Sequence, residues 1–237
     1  MPPVRRRRDR PRDSVATREA LLAAGTELFA ERGYDGVPVW AIAAKAGVNK
    51  AMISYHFGGK RNLYRAIVDE TFTEVVSRIE ALADSSRPAP DLLRQMVADV
   101  ADAATRRRPH FATMLLREVL EGGKHLEPGV AGKPERVLAA VQRIVQQGVR
   151  EGTLRQVDPL LTHLSLVGML VFFFATTRFR HRVLATARRR LAAPGAGAYV
   201  RHVQDLITHG LSAPVVSAIR PSRKAATRGR GAHRSHA

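Results

Sequence analysis

VWAIAAKAGVNKAMISYHF, residues 39–57, runs straight into GGKRNLYRAI at 58–67, and its reading decides the fold. At helical period Val39, Ile42, Ala43 and Ala46 fall on one apolar stripe. Gly47 predicts the end of that helix, because a residue without a Cβ takes the left-handed turn that redirects the chain. Asn49 then stands where an N-cap belongs, its side-chain oxygen placed to accept a free backbone N–H of the next helix. That second helix, expected over residues 50–57, turns Ile53 and Phe57 inward and leaves Lys50, Ala51, Met52, Ser54, Tyr55 and His56 to share an outer face. Small residues at Ala43 and Ala46 let the two helices cross closely. The pattern over residues 38–57 is that of a helix-turn-helix, whose second helix lies in the DNA major groove. On spacing alone, an αα-hairpin inside a helical core fits as well.

The flanks weigh against the plain hairpin. Residues 17–32 make an amphipathic helix with Ala20, Leu21, Ala24, Leu28 and Phe29 on one face, and Ser14 or Thr17 is available to cap it. With TREALLAAGTELFAERGYDG (17–36), IAAKAGV (42–48) and YHFGGKRNLY (55–64), the chain resembles the TetR family of bacterial transcriptional regulators over residues 17–67. Beyond that it matches only in being all-helical and ending in an apolar helix pair. The resemblance implies an all-α protein: an N-terminal three-helix head carrying the helix-turn-helix, and a C-terminal helical bundle that forms a ligand pocket and a dimer interface. It implies a homodimeric repressor on a palindromic operator in double-stranded DNA, released by a small-molecule effector. It also implies that Lys60 faces the DNA backbone. The family often has Thr or Ser where Val37 and Pro38 stand, Tyr at the position of Ser54, and His or Tyr at that of His56. Val37 offers no donor, whereas Pro38 suits a first helical turn.

On the outer face, Lys50 can reach guanine acceptors, and Ala51 or Met52 a thymine methyl. Asn49, Ser54, Tyr55 and His56 complete the candidate DNA contacts. Two of these have an alternative: Met52 can pack in the core, and His56 can help to close the head.

Charge points the same way. The net charge is +18; residues 1–13 hold six Arg against Asp9 and Asp13, residues 218–237 hold six Lys or Arg and no acid, and the body keeps +8. Such an excess favours polyanions, nucleic acid before anionic membrane. Residues 1–13 read as a disordered basic arm in which Arg5, Arg6, Arg7 and Arg8 can enter an A·T-rich minor groove. The domain expectations are residues 14–60 for the DNA-binding head, 61–213 for effector binding and dimerisation, and 214–237 for a disordered basic tail. With no Cys there is no disulfide framework or thiolate metal site, and a cytoplasmic setting is natural. The basic N-terminus lacks a following apolar run, so no secretory signal is expected.

Through the body, helices are expected over 61–83, 92–104, 111–120 and 136–151, with loops at 85–91 and over the Gly/Pro-rich EGGKHLEPGVAGKP (121–134). Arg106, Arg107 and Arg108 read as a solvated turn. Residues 160–177 form the most apolar run, interrupted by Thr162, His163, Ser165 and Gly168, which argues for burial between subunits over a membrane span. A basic stretch, 178–191, precedes the PGAG break at 194–197. A last helix, 198–211, carries Val200, Val203, Leu206, Ile207 and Leu211 on one stripe. Helices 160–177 and 198–211 of two subunits would form a four-helix bundle across a two-fold axis.

Nothing in the sequence calls for catalysis, a cofactor or a metal: no Gly-rich phosphate loop, HExxH or GxSxG occurs, and the histidines are scattered. Arg117 and Glu118 stand out in the otherwise apolar FATMLLREVL, where a buried charge must find a partner. Arg117, Glu121, His163, Phe172 and Phe173 are the candidate effector-pocket residues, Arg117 as an anion anchor and the aromatics as walls. The rival readings are a nucleoid-type protein that coats DNA without sequence preference and a peripheral membrane protein.

Overall fold

Ile42, Ala43 and Ile53 of the quoted stretch are buried in one cluster with Leu21, Leu28 and Phe29 of the preceding helix. The computed structural model describes residues 11–125, 128–186 and 193–213, and every extended element among them is helical. Three helices make the head: α1 (Pro11–Arg32), α2 (Val39–Ala46) and α3 (Ala51–Phe57). α1 takes in Pro11, Arg12 and Asp13, which the sequence assigned to the arm, so Ser14 and Thr17 lie inside the helix and not at its cap. Proline is at home in a first helical turn. The arm's Arg5, Arg6, Arg7 and Arg8 lie outside the described residues, as does the tail from 214.

The joint between α2 and α3 follows the sequence closely. Gly47 has φ 69°, and the Val48 N–H donates to the Ala43 carbonyl at 3.0 Å, closing the end of α2 as a glycine-terminated helix does. Asn49 Oδ1 accepts the Ala51 N–H at 2.8 Å. Lys50 sits at the boundary, so α3 begins one residue later than expected.

The body consists of α4 (Lys60–Ala83), α5 (Ala89–Asp102), α6 (Phe111–Leu120), α7 (Pro128–Arg150), α8 (Pro159–Ala175), α9 (Thr177–Thr186) and α10 (Ala196–Leu211). α4 joins the two parts: it packs on α1 and α3 in the head and along α7 and α5 in the body. Its buried residues run from Leu63, Tyr64 and Ile67 to Phe72, Val75, Val76 and Ile79. At about 1.5–3 kcal/mol per fully buried large apolar side chain, that continuous face makes head and body one packed unit along α4.

Four expectations for the body need correction. α7 starts at Pro128, inside the run expected as a loop, and carries Pro134 within it. Tertiary contacts override the local signal there. Lys133 is buried, and its Nζ donates to the Asp69 carbonyl at 3.0 Å and to Asp69 Oδ1 and Thr73 Oγ1, each at 2.5 Å, on α4. After α5 the chain continues as a π-helical turn, Ala103–Arg107, and its arginines are not merely solvated. Arg106 and Arg107 pair with Asp102 at 2.6 and 2.7 Å, while Arg107 and Arg108 reach Glu74 of α4 at 3.2 and 3.1 Å. The Arg107 hydrogen bond holds the Asp102 carboxyl below its usual range. The apolar run breaks at Thr176, and α9 leaves α8 at 65°. Arg180 secures the corner by donating to the Phe173 carbonyl, one of the groups a helix end leaves unpaired. Among the described residues no single helix is long and apolar enough to cross a membrane. Finally, α10 begins inside PGAG, and it buries Val203 and Ile207 but leaves Leu206 50% exposed.

α8 is likewise only half covered. Leu166, Leu170, Val171 and Phe173 point inward, while Leu160, Leu161, Leu164 and Phe172 are exposed.

Candidate nucleic-acid interface

Fixing Ile53 in the head core sets the rotation of α3, and with it what the helix shows to solvent. Asn49, Lys50, Ala51, Ser54 and Tyr55 are exposed, Tyr55 at 76%. Met52 and His56 are not part of that edge. They stand four apart on a flank that turns back to the head: Met52 packs against the core, and His56 Nε2 is shut away from solvent with no hydrogen-bond partner among the described residues. The His56 ring meets Tyr55 edge-on at 5.0 Å. The outer edge therefore narrows to Lys50, Ala51, Ser54 and Tyr55. Phe57 is half-buried, with the Arg18 guanidinium 5.3 Å from its ring centre.

Beside this edge, Lys60 opens α4, whose first turn carries no acidic residue. A helix N-terminus with a lysine on it presents positive potential and unpaired N–H groups to an anion such as a phosphate. Lys60 Nζ lies 4.3 Å from the centre of the Tyr34 ring, a cation–π contact that fixes it beside the GYDG turn. Trp40, on α2, was not among the sequence candidates, yet it is 67% exposed. Its signal was available: the chain's one tryptophan stands off the Val39, Ile42, Ala43, Ala46 stripe. Val37, by contrast, is fully buried and serves the head core. Lys45 is bound to Glu27 at 2.6 Å, and that hydrogen bond holds the Glu27 carboxyl below its usual range.

Behind the head, α6 contributes two consecutive charged residues to the seam with the body. Arg117 donates from Nε to the Ala30 carbonyl at 3.1 Å and from Nη2 to the Glu31 carbonyl at 2.9 Å. It thereby caps the negative end of α1. Gly33, at φ 73°, lets the guanidinium in; a Cβ there would stand 3.3 Å from Nη1. Glu118 is 2% exposed, accepts the Tyr64 hydroxyl on Oε1 and lies 3.2 Å from His125 Nδ1. Burial and that hydrogen bond push the Tyr64 phenol well above its usual range. Phe29, Tyr34, Tyr64 and His125 close round the carboxylate, with Tyr34 and His125 ring centres 4.6 Å apart. Outside this group Lys124 ties Asp35 at 3.1 Å and lowers its carboxyl, and it also meets Glu121 at 3.1 Å.

The five pocket candidates part company. Arg117 and Phe173 line a cleft of about 550 Å³ between the end of α1, the π-helical turn, α6 and the α8–α9 corner. Glu121 belongs to the seam, 3.5 Å from His125. Phe172 is 61% exposed, because one residue's rotation from buried Phe173 takes it to the other side of α8. His163 is half-buried on α8, away from the cleft lining, with Nδ1 unpartnered among the described residues, and burial pushes its imidazole below the ordinary 6.5.

Known proteins share both halves of this arrangement. Residues 21–67 match the bacterial regulatory proteins of the tetR family, and residues 90–207 match the tetracyclin repressor-like C-terminal domain. The chain belongs to the TetR family. It is 26% identical over 206 residues to the HTH-type transcriptional repressor NicS of Pseudomonas putida, covering 85% of this chain and 95% of that one. It is 23% identical over 150 residues to the HTH-type transcriptional regulator RutR of Escherichia coli, covering 63% and 70%. The crystal structure of the TetR-family regulator PfmR from Thermus thermophilus superposes with a TM-score of 0.61 at 25% identity, over 80% of this chain and 97% of that one. This TetR-family protein is a DNA-binding transcriptional regulator, and the comparisons lend nothing to a nucleoid-type coating protein. Its named relatives are transcriptional regulators.

Proposed function

We propose that this regulator is a repressor that holds a palindromic operator as a homodimer and releases it when a small molecule binds the body. The observation that carries the reading is the α3 edge: Lys50, Ala51, Ser54 and Tyr55 project from a packed three-helix head, flanked by Trp40 and Lys60. In the bound state this edge reads base pairs in the major groove, while Trp40, Lys60 and the α4 N-terminus contact phosphates. Arg5, Arg6, Arg7 and Arg8 extend the contact into the adjacent minor groove.

The twin subunit docks on α8 and α10. Leu161, Leu164, Gly168 and Phe172 recur on one side of α8, and Leu206 of α10 stands exposed beside it. Two such pairs complete a four-helix bundle about a two-fold axis, with the reading helices spaced for half-sites about one helical turn or slightly more apart. The repressor assignment draws on NicS, which is named a repressor. Release requires an effector with higher affinity for a conformer whose heads no longer match that spacing.

Selection of bound duplexes from a random DNA pool tests the reading. A palindromic consensus that survives excess random competitor is expected; binding without an enriched sequence would overturn it. Phe172→Asp places a charge in the proposed bundle and should yield a monomer by sedimentation, with operator binding lost. A dimeric variant of wild-type affinity removes α8 from the interface.

A further inference from the structure

We infer that the cleft between the end of α1 and the α8–α9 corner binds a small organic carboxylate, and that this ligand takes Arg117 from the α1 carbonyls and so unlatches the head. The inference deepens the effector-controlled reading above and rests on it.

The chemistry of the lining selects an anion. Arg117, Arg178, Arg180, His110 and His181 all line the cleft, against Glu31 as the one carboxylate among the described lining residues. Glu31 is engaged by Arg178 at 3.3 Å. A volume of about 550 Å³ lies within the range of small-molecule sites. Ala30, Ala104, Pro109 and Phe174 supply apolar wall, which suits an organic body more than a bare inorganic ion.

One buried donor in the lining has no partner among the described residues. Arg180 Nε is buried and unpaired among the described residues, although its Nη1 is held by the Phe173 carbonyl and, at 3.2 Å, by Thr176 Oγ1. The guanidinium lies 3.7 Å above the Phe173 ring, whose other face is stacked on Tyr199 at 3.6 Å and 2°. Arg180 is thus a cation held in place in the lining, with one buried donor, Nε, that a small shift of the side chain would offer to a ligand.

Arg117 is the moving part. In this structure its Nε and Nη2 are spent on the Ala30 and Glu31 carbonyls. Those acceptors are neutral, whereas a carboxylate is charged and matches the guanidinium fork with two parallel bonds. A carboxylate in the cleft therefore outcompetes the carbonyls, and the C-terminal end of α1 loses its cap. Glu118, the next residue, keeps its hold on Tyr64 of α4, so the seam opens on the α1 side alone. The ligand favours the unlatched conformer because only there are Arg117 Nε and Nη2 both free for the two-bond pairing, which supplies the differential affinity that release demands.

The test uses the full-length protein. Benzoate, salicylate and hexanoate, each beside its own amide, and inorganic phosphate are titrated by calorimetry. Displacement of the selected operator is followed by fluorescence anisotropy. At least one carboxylate should bind and displace DNA, with its amide weaker by about tenfold or more and phosphate inactive. Arg117→Gln should weaken both carboxylate binding and ligand-free operator binding, and Arg180→Gln should weaken carboxylate binding, with circular dichroism and Tm reporting that each variant is folded. No binding by any carboxylate, equal binding by an amide or by phosphate, or binding that survives both substitutions would overturn the inference. Ligand-free operator binding separates the two levels: a chain that holds its operator yet ignores carboxylates fails here alone, and one that binds carboxylate without an operator fails as a repressor.

Discussion

The two faces of the head obey different rules. Its front, the α3 edge, is made of neighbours in sequence: Lys50, Ala51, Ser54 and Tyr55 are exposed and owe their direction to Ile53, with Met52 and Phe57, packed on the head core. Its back, the seam with α6, is made of residues far apart. Tyr64 meets Glu118 across 54 positions, and Arg117 meets Ala30 across 87. The front can change its side chains without disturbing the fold, whereas the inner groups of the back, Tyr64, Arg117, Glu118 and His125, are buried or half-buried and depend on distant partners. A regulator built this way can vary what it reads while keeping how it is held.

Substitutions on each side test that separation. The largest effect is expected at the back. Tyr64→Phe leaves Glu118 Oε1 with His125 as its remaining described partner and should lower unfolding free energy by about 1–3 kcal/mol in denaturant titration. Operator affinity per folded molecule should shift less than it does for Tyr55→Ala. That second variant should weaken operator binding by about 1–3 kcal/mol and leave Tm within error, because the ring is 76% exposed. A drop in Tm as large as that of Tyr64→Phe would erase the contrast between the faces. Lys60→Ala comes next: it should weaken binding to all sequences alike and reduce the slope of log affinity against log salt by about one charge.

The smallest effect asks whether the rule for the back extends to α8. Burial favours the neutral form of His163, so its folded value lies below the ordinary 6.5 and the unfolded chain takes up more protons in between. Stability from this residue is full above about 6.5 and falls as the pH drops through that value. His163→Gln should flatten the fall in Tm between about pH 7 and pH 5 relative to the wild type. Identical pH profiles would mean that His163 titrates as if solvated.

Much of the front was legible beforehand. The stripe, the glycine stop and the Asn49 cap are local devices, and residues 39–57 fold as they read, apart from a one-residue shift at the start of α3. Met52 and His56 were harder, because a seven-residue helix gives too little periodicity to separate a flank from a face. Trp40, which the proposed reading adds to the DNA contacts, was not among the candidates, although its place off the stripe marked it as outward-facing. In the body, the helix at 111–120 was found to the residue, but Arg117 and Glu121 read alike as pocket residues while only Arg117 reaches the cleft. The start of α7 was hidden because the buried Lys133 contacts on α4 outweigh a run of Gly and Pro.

From its sequence alone this protein had a three-helix head with an outward reading edge, an apolar C-terminal pair and a strongly basic character, since spacing along a helix fixes which residues share a face. The tertiary structure decided where charge goes inside. It put Arg117 on the end of α1, Glu118 against Tyr64, and Phe172 and Phe173 on opposite sides of α8. Those outcomes depend on which distant helix lies opposite each side chain, and helical period carries no information about that.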